Sequence, residues 1–150
     1  MPSSDEHIML IAEDDVTGFE AMFEDDGRAA YAYLIRDDEI VADVWLYNSG
    51  GTPPMPEWDG PESLPCRNPA DYVSNETVIR VGDDSDVVFS WNHDESGGLE
   101  SLEIKVRGRV LGRLEPGSMP GWAALATRDG PLARVLLPRS TAPVPTSRFG

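Results

Sequence analysis

Apolar and polar side chains alternate with a period of two through three successive runs, and that period limits the chain to extended structure there. In residues 18–24, Phe19, Ala21 and Phe23 share one side while Glu20 and Glu24 share the other. Asp25-Asp26-Gly27 then supplies turn chemistry, because Asp and Gly tolerate positive φ. Tyr31, Tyr33 and Ile35 alternate with Ala32 and Leu34 up to a second polar break at Arg36-Asp37-Asp38-Glu39. From Ile40 to Tyr47, the residues Ile40, Ala42, Val44 and Leu46 fall on one side, with Asp43, Trp45 and Tyr47 on the other. Three strands and two short turns predict an antiparallel meander. The Asp43, Trp45 and Tyr47 side is either the second layer of a sandwich or an aromatic and acidic binding surface.

Residues 48–71 break the pattern with Pro53, Pro54, Pro56, Pro61, Pro65 and Pro69, predicting a long loop of the kind that carries function. A short helix is expected at 68–73, with Asn68 as cap and Pro69 in the first helical position. Further strands are expected at 77–81 and 87–91. A hairpin follows, with Leu102, Ile104 and Val106 on one arm and 109–114 on the other, turning at Gly108. Residues 120–126 suit a short helix or a strand, and 132–137 read as a last strand. Residues 138–150, rich in Pro, Ser and Thr, are expected to form a flexible tail. The predicted fold is mainly β: a single antiparallel β domain over 1–137, sandwich-like or a curved sheet, with one or two short helices.

Charge narrows the partners. The chain of 150 residues holds 27 acidic and 12 basic side chains, a formal net charge of −15. Residues 1–100 carry 24 acids against 4 bases, whereas residues 101–150 carry 3 against 8, so folding can pair part of one half with the other. Such an excess repels a phosphate backbone, which excludes nucleic acid as the expected ligand. No apolar run nears the roughly 20 residues that span a bilayer, and residues 1–7 lack the pattern of a secretion signal. No membrane partner and a cytoplasmic location are therefore expected. Cys66 stands alone, which also suits a reducing compartment and makes it an incidental thiol.

The chemical motifs are weak. The acidic clusters at 13–15, 24–26, 37–39 and 83–86 lack the ligand spacing of a calcium loop, and neighbouring acids on a strand point to opposite faces. Two histidines, His7 and His93, and one cysteine do not make a structural zinc site. No metal, no cofactor and no catalytic residue are expected. His93 reads as an exposed turn histidine, and Asn75-Glu76-Thr77 matches a glycosylation acceptor that has no meaning without secretion.

Residues 23–33, with Phe23-Glu24-Asp25-Asp26-Gly27 and Tyr31-Ala32-Tyr33, and 40–48, closing on Leu46-Tyr47-Asn48, resemble a family of small bacterial proteins of unknown function. Its members carry an acidic FEDDG-type turn, an aromatic strand and a third strand ending in an Ile-Tyr-Asn-like tripeptide. Val88-Phe89-Ser90-Trp91 and the hairpin at 104–109 resemble later strands of that family. Ala29-Ala30 replaces a Thr-Gly-like pair, the proline loop is longer, and a Cys-Arg element near the family's end is missing. The resemblance implies a fold and no enzyme chemistry. Proteins of that kind are similar in size and acidity to the immunity proteins encoded beside bacterial toxins.

Acidity acts collectively by steering basic partners and speeding their association. The expected function is therefore an acidic binding protein, of immunity or inhibitor type, that neutralises a basic bacterial toxin or effector by stoichiometric binding rather than catalysis. Candidate contacts are Glu24, Asp25, Asp26, Asp37, Asp38 and Glu39, with Trp58 of the proline loop as an apolar anchor. The alternatives are a small hydrolase using dispersed carboxylates and a self-associating accessory module. The sequence leaves the oligomeric state open.

Overall fold

Nine strands form two sheets in the computed structural model, which describes residues 7–49, 51–55, 67–74 and 80–136. The first sheet has the order β1 (Ile8–Glu13), β2 (Glu20–Asp25), β3 (Ala29–Arg36) and β4 (Glu39–Asn48). The second has the order β5 (Val87–His93), β6 (Leu99–Val106), β7 (Arg109–Leu114), β8 (Trp122–Ala123) and β9 (Arg134–Val135). The meander of β2, β3 and β4 and the hairpin of β6 and β7 match the sequence expectation. One pair departs from it, since β8 and β9 run parallel through Trp122↔Arg134 and Ala123↔Val135.

Each turn has a local cause. Asp37 and Asp38 both adopt left-handed φ, +52° and +67°, the conformation that a two-residue hairpin turn needs to match strand twist. At the β2–β3 turn, the Asp26 carboxylate accepts from the Arg28 and Ala29 N–H groups at 2.9 and 3.1 Å. β1 was not signalled by alternation. In Ile8-Met9-Leu10-Ile11-Ala12 both faces are apolar, so the period disappears although the backbone alternates.

Cross-strand rows build the core. Leu10, Phe23, Ala32 and Val44 lie in one row, and Ala12, Ala21, Leu34 and Ala42 in the next. They face Leu102, Ile104, Leu114 and Ala123 of the second sheet in one buried cluster. β4 lies closest to that sheet, against β7 and β8. Its outer edge is also occupied: Asp43 N–H donates to Ser118 O (3.1 Å), Gly121 N–H to Asp43 O (2.7 Å) and Trp45 N–H to Leu132 O (3.0 Å). One side of the sandwich is thus closed by backbone hydrogen bonds.

Two bulges change face assignments. Val41 is an extra residue that sets Ile40 opposite Ile35, outward and away from the side of Ala42 on which alternation places it. A second bulge lies near Tyr47. Ala30 pairs with Tyr47 and Tyr31 with Trp45, so Leu46 is an extra residue in β4. The extra residue turns Tyr47 inward, away from the side it would share with Trp45 by simple alternation. Inside, its ring lies 6.4 Å from that of Phe23. Trp45 stays on the other side with Tyr31 and Glu24 and is covered there, 1% exposed, beside Asn48, Val73, Ser74 and Leu125.

The remaining expectations divide. The short helix is a single 3-10 turn at Ala70–Tyr72 whose N-cap is Pro69, not Asn68. Asn68 is instead buried and held by Asn48, which accepts from its N–H and donates to its carbonyl, both at 2.8 Å. A second 3-10 turn at Asp84–Asp86 is capped by Asp83. The ambiguous 120–126 segment forms β8 and then a turn, and β9 keeps only two residues of the strand expected at 132–137. Residues 77–79 of the expected 77–81 strand, residues 56–66 of the proline loop and the 138–150 tail lie outside the described residues, and Arg80 and Val81 are not in a strand.

Within the second sheet, the chain entering β8 approaches β7 closely where a side chain is missing. A Cβ on Gly121 would stand 2.5 Å from Arg113 O and 2.7 Å from Leu114 Cδ2. Gly121→Ala therefore has to push backbone against backbone and is expected to destabilise by about 1–3 kcal/mol in urea unfolding. Unchanged stability would show that β8 can move away from β7.

Candidate functional site

The three consecutive acids of the β2–β3 turn take three different places. Asp25 is 0% exposed. Its carboxylate accepts from Gly27 N–H (2.9 Å), Ser49 Oγ (2.7 Å), Tyr47 Oη (2.9 Å) and Arg80 Nε (3.0 Å). Tyr47 Oη in turn accepts from the Val81 N–H at 3.1 Å. Burial, with Asp25 alongside, pushes the Tyr47 phenol above its usual range, so it remains a donor. Asp25 is thus a structural anchor and is removed from the expected contact set, because no partner can reach it. Asp26 is committed to its turn; burial raises its pKa, but the N–H groups of Arg28 and Ala29 and the Arg28 charge outweigh that and hold it low.

Glu24 points outward, into a second set of cross-strand rows. Met9, Glu24, Tyr31 and Trp45 form one row, Ile11, Met22, Tyr33 and Asp43 the next, and Glu13, Glu20, Ile35 and Ile40 a third. No Lys or Arg stands in these rows. Met9, Ile11 and Ile40 are 51%, 65% and 47% exposed. The face is therefore an apolar floor edged by carboxylates. Tyr31 and Tyr33 stack at 6.1 Å, and Tyr33 Oη donates to Glu24 Oε1 at 2.9 Å. Glu24 Oε2 also lies 2.7 Å from His7 Nε2. Burial, then the Glu24 charge, drives the Tyr33 phenol far above its ordinary range.

Asp43 is the exceptional member of this face. It is half-buried, and among the described residues its carboxylate has no hydrogen-bond donor. Burial alone raises its pKa above the usual carboxylate value. A group raised in this way stabilises the fold when protonated at low pH and loses that contribution as pH rises through its titration. The charged form is thus held at a cost in the isolated chain.

The other expected contacts do not converge on this face. Asp37, Asp38 and Glu39 are exposed at the far end of β3 from Glu24, about 26 Å along an eight-residue strand. Trp58 and Cys66 lie outside the described residues. His93 is exposed, as expected, but it ends β5 rather than lying in a turn, and its Nε2 lies 2.8 Å from Asp14 Oδ2, tying β5 to the β1–β2 loop. Burial raises the Asp14 pKa, yet hydrogen bonds from Thr17, His93 and the Val16 N–H outweigh it and hold Asp14 low.

Two cations of the second half, Arg113 and Arg134, lie on the outer face of the other sheet. Glu103, Arg113, Trp122 and Arg134 form one row there. The Arg113 and Arg134 guanidinium carbons sit 5.5 and 4.2 Å from the Trp122 ring. Arg134 donates twice to Pro120 O, and Arg113 pairs with Glu115 at 2.7 Å. Among the described residues no three His, Cys, Asp or Glu side chains are grouped to hold a metal ion, and no helix is long and apolar enough to cross a membrane.

Met9 and Ile11 escaped the sequence analysis because β1 lacks alternation; an apolar run bounded by His7 and Glu13 was the available sign. Asp43 was legible as a member of an aromatic and acidic side. Comparison with family models, curated proteins and solved structures finds no match for this chain.

Two outcomes test this division of roles. Asp25→Ala leaves Arg80 and Tyr47 without their buried acceptor and is expected to cost about 3–5 kcal/mol in chemical denaturation. Glu39→Ala, at an exposed position, is expected to stay within about 0.5 kcal/mol. Asp43→Asn is expected to raise the melting temperature at pH 7, with the gain shrinking as pH falls through the Asp43 titration. A loss of stability at pH 7 would show that Asp43 is already paired.

Proposed function

We propose that this chain is a cytoplasmic binding protein of inhibitor or immunity type that engages a basic protein partner stoichiometrically, without catalysis, through the outer face of its first sheet. The supporting observation is Asp43, a half-buried carboxylate without a donor among the described residues, set beside Tyr33 in the row that Met22 and Ile11 continue, with Glu20 and Glu24 in the neighbouring rows. An Arg or Lys from a partner supplies the missing counter-charge. The complex then regains the energy lost in the free protein, while the aliphatic floor buries the cation's methylene stem. The rim acids steer encounter at long range, and the floor slows dissociation.

The contact set under this reading is Glu20, Glu24 and Asp43 with Met9, Ile11 and Tyr33. The Asp37, Asp38 and Glu39 turn adjoins the Glu20 end of this set and lies away from Glu24 and Asp43. The test begins with capture at low salt of a basic partner and reconstitution of the purified pair. The combined variant Glu20→Gln, Glu24→Gln, Asp43→Asn is expected to slow association about tenfold at low salt, with a smaller effect at high salt. Neutralising Asp37, Asp38 and Glu39 instead is expected to leave the rate nearly unchanged. The reverse result moves the site to the turn, and indifference to both variants overturns charge-steered binding.

A further inference from the structure

The two sheets differ in how their edges are finished. β4 is closed by Ser118, Gly121 and Leu132, and β5 carries a register shift at Asn92/His93 that blunts its edge. β1 has neither device. It pairs with β2 without a shift over six residues, contains no Pro or Lys, and among the described residues its backbone bonds only to β2. Its inward residues Ile8, Leu10 and Ala12 are only half-buried, so the core is incomplete along this strand.

We propose that β1 is the interface of a two-fold dimer in which it pairs antiparallel with β1 of a second copy. The hydrogen-bond parity allows it. Asp14 N–H donates to Phe19 O (2.8 Å), which continues the ladder so that Ile8, Leu10 and Ala12 direct their backbone groups to β2. Met9, Ile11 and Glu13 therefore direct theirs to the open side. A two-fold axis through Leu10 sets Met9 opposite Ile11 of the second copy, so the groups that point outward meet one another. The same axis sets Ile8 opposite Ala12 on the core side and His7 opposite Glu13, a charge-complementary pair at each end.

Closure follows from the same geometry. The joined sheet has eight strands and ends on β4 at both sides, where the edge is already hydrogen-bonded. Growth stops at two, as an isologous contact requires. Met9 and Ile11 of the two copies then form one apolar strip across the middle of a doubled acidic face. The interface does not depend on the basic partner proposed above.

Net charge opposes this association, because each copy carries −15. Salt is therefore expected to strengthen the dimer, the reverse of its effect on a basic partner. Sedimentation of the whole chain is expected to show the dissociation constant falling about tenfold between roughly 0.05 and 0.5 M NaCl. Ile11→Pro removes an outward N–H that β2 does not use and is expected to give a monomer at every salt concentration, with its strand content retained. Leu10→Cys, in a Cys66→Ser background, places two thiols on the axis at a Cα separation of about 4.5 Å, within disulfide reach. Oxidation is expected to yield a covalent dimer. The proposal is overturned by a chain that stays monomeric at high salt, by a dimer that salt dissolves (a sign of one copy's acidic face stacked on the other's cationic face), or by a dimer that a folded Ile11→Pro retains. If Ile11→Pro does not fold, the Leu10→Cys crosslink decides, and its absence overturns the β1 interface.

Discussion

The buried carboxylate of Asp25 ties together three parts of the chain that lie far apart in sequence. It takes donors from its own turn, from Tyr47 and Ser49 at the end of β4, and from Arg80, 55 residues away. An ion this deeply buried costs several kcal/mol in lost hydration, and only a full set of donors offsets that cost. Four donors, one of them charged, meet the requirement. The geometry then has little freedom: Tyr47 must point inward, so β4 must carry its bulge, and Trp45 must face the opposite way from Tyr47. The inward Tyr47 and the outward Trp45 thus go together with the donors that Asp25 requires.

This dependence explains which parts of the fold were legible in the sequence. The alternation in 19–24, 31–35 and 40–47 reports directly which side of a strand meets the core, and the meander followed from it. Alternation cannot report an extra residue. Tyr47 was assigned with Trp45 because a period of two has no place for Leu46 as a bulge. Asp25 was assigned to an exposed turn because an Asp-Asp-Gly triplet has the same composition whether or not a distant Arg80 reaches it. β1 was invisible for the opposite reason, with apolar residues on both sides of an unfinished edge. Its outward residues, Met9 and Ile11, are the ones that make the acidic face sticky.

The candidate site was half legible. Glu24 and Asp43 stood out as acids on the side away from Phe23 and Val44, and both are there. Asp37, Asp38 and Glu39 share their composition but have a different task, since the positive φ of both Asp residues makes the β3–β4 turn. Local acidity therefore did not separate turn-forming carboxylates from presented ones. What separates them is the satisfaction of each carboxylate: Asp26 by backbone N–H groups, Asp14 by Thr17 and His93, Asp25 by four donors, and Asp43 by none among the described residues.

Charge separation along the sequence becomes charge separation in space, and the sandwich keeps it from cancelling. Stacked sheets lie about 10 Å apart, and their outer side chains lie farther still. The screening length at physiological salt is about 8 Å. Arg113 and Arg134, held against Trp122 on the outside of the second sheet, are thus too far through the molecule to neutralise Glu20, Glu24 or Asp43. Their own local contacts to Glu115 and Pro120 fix them there. Among the described residues no Lys or Arg stands in the rows of Glu20, Glu24 and Asp43, so the outer face of the first sheet keeps a negative field of its own.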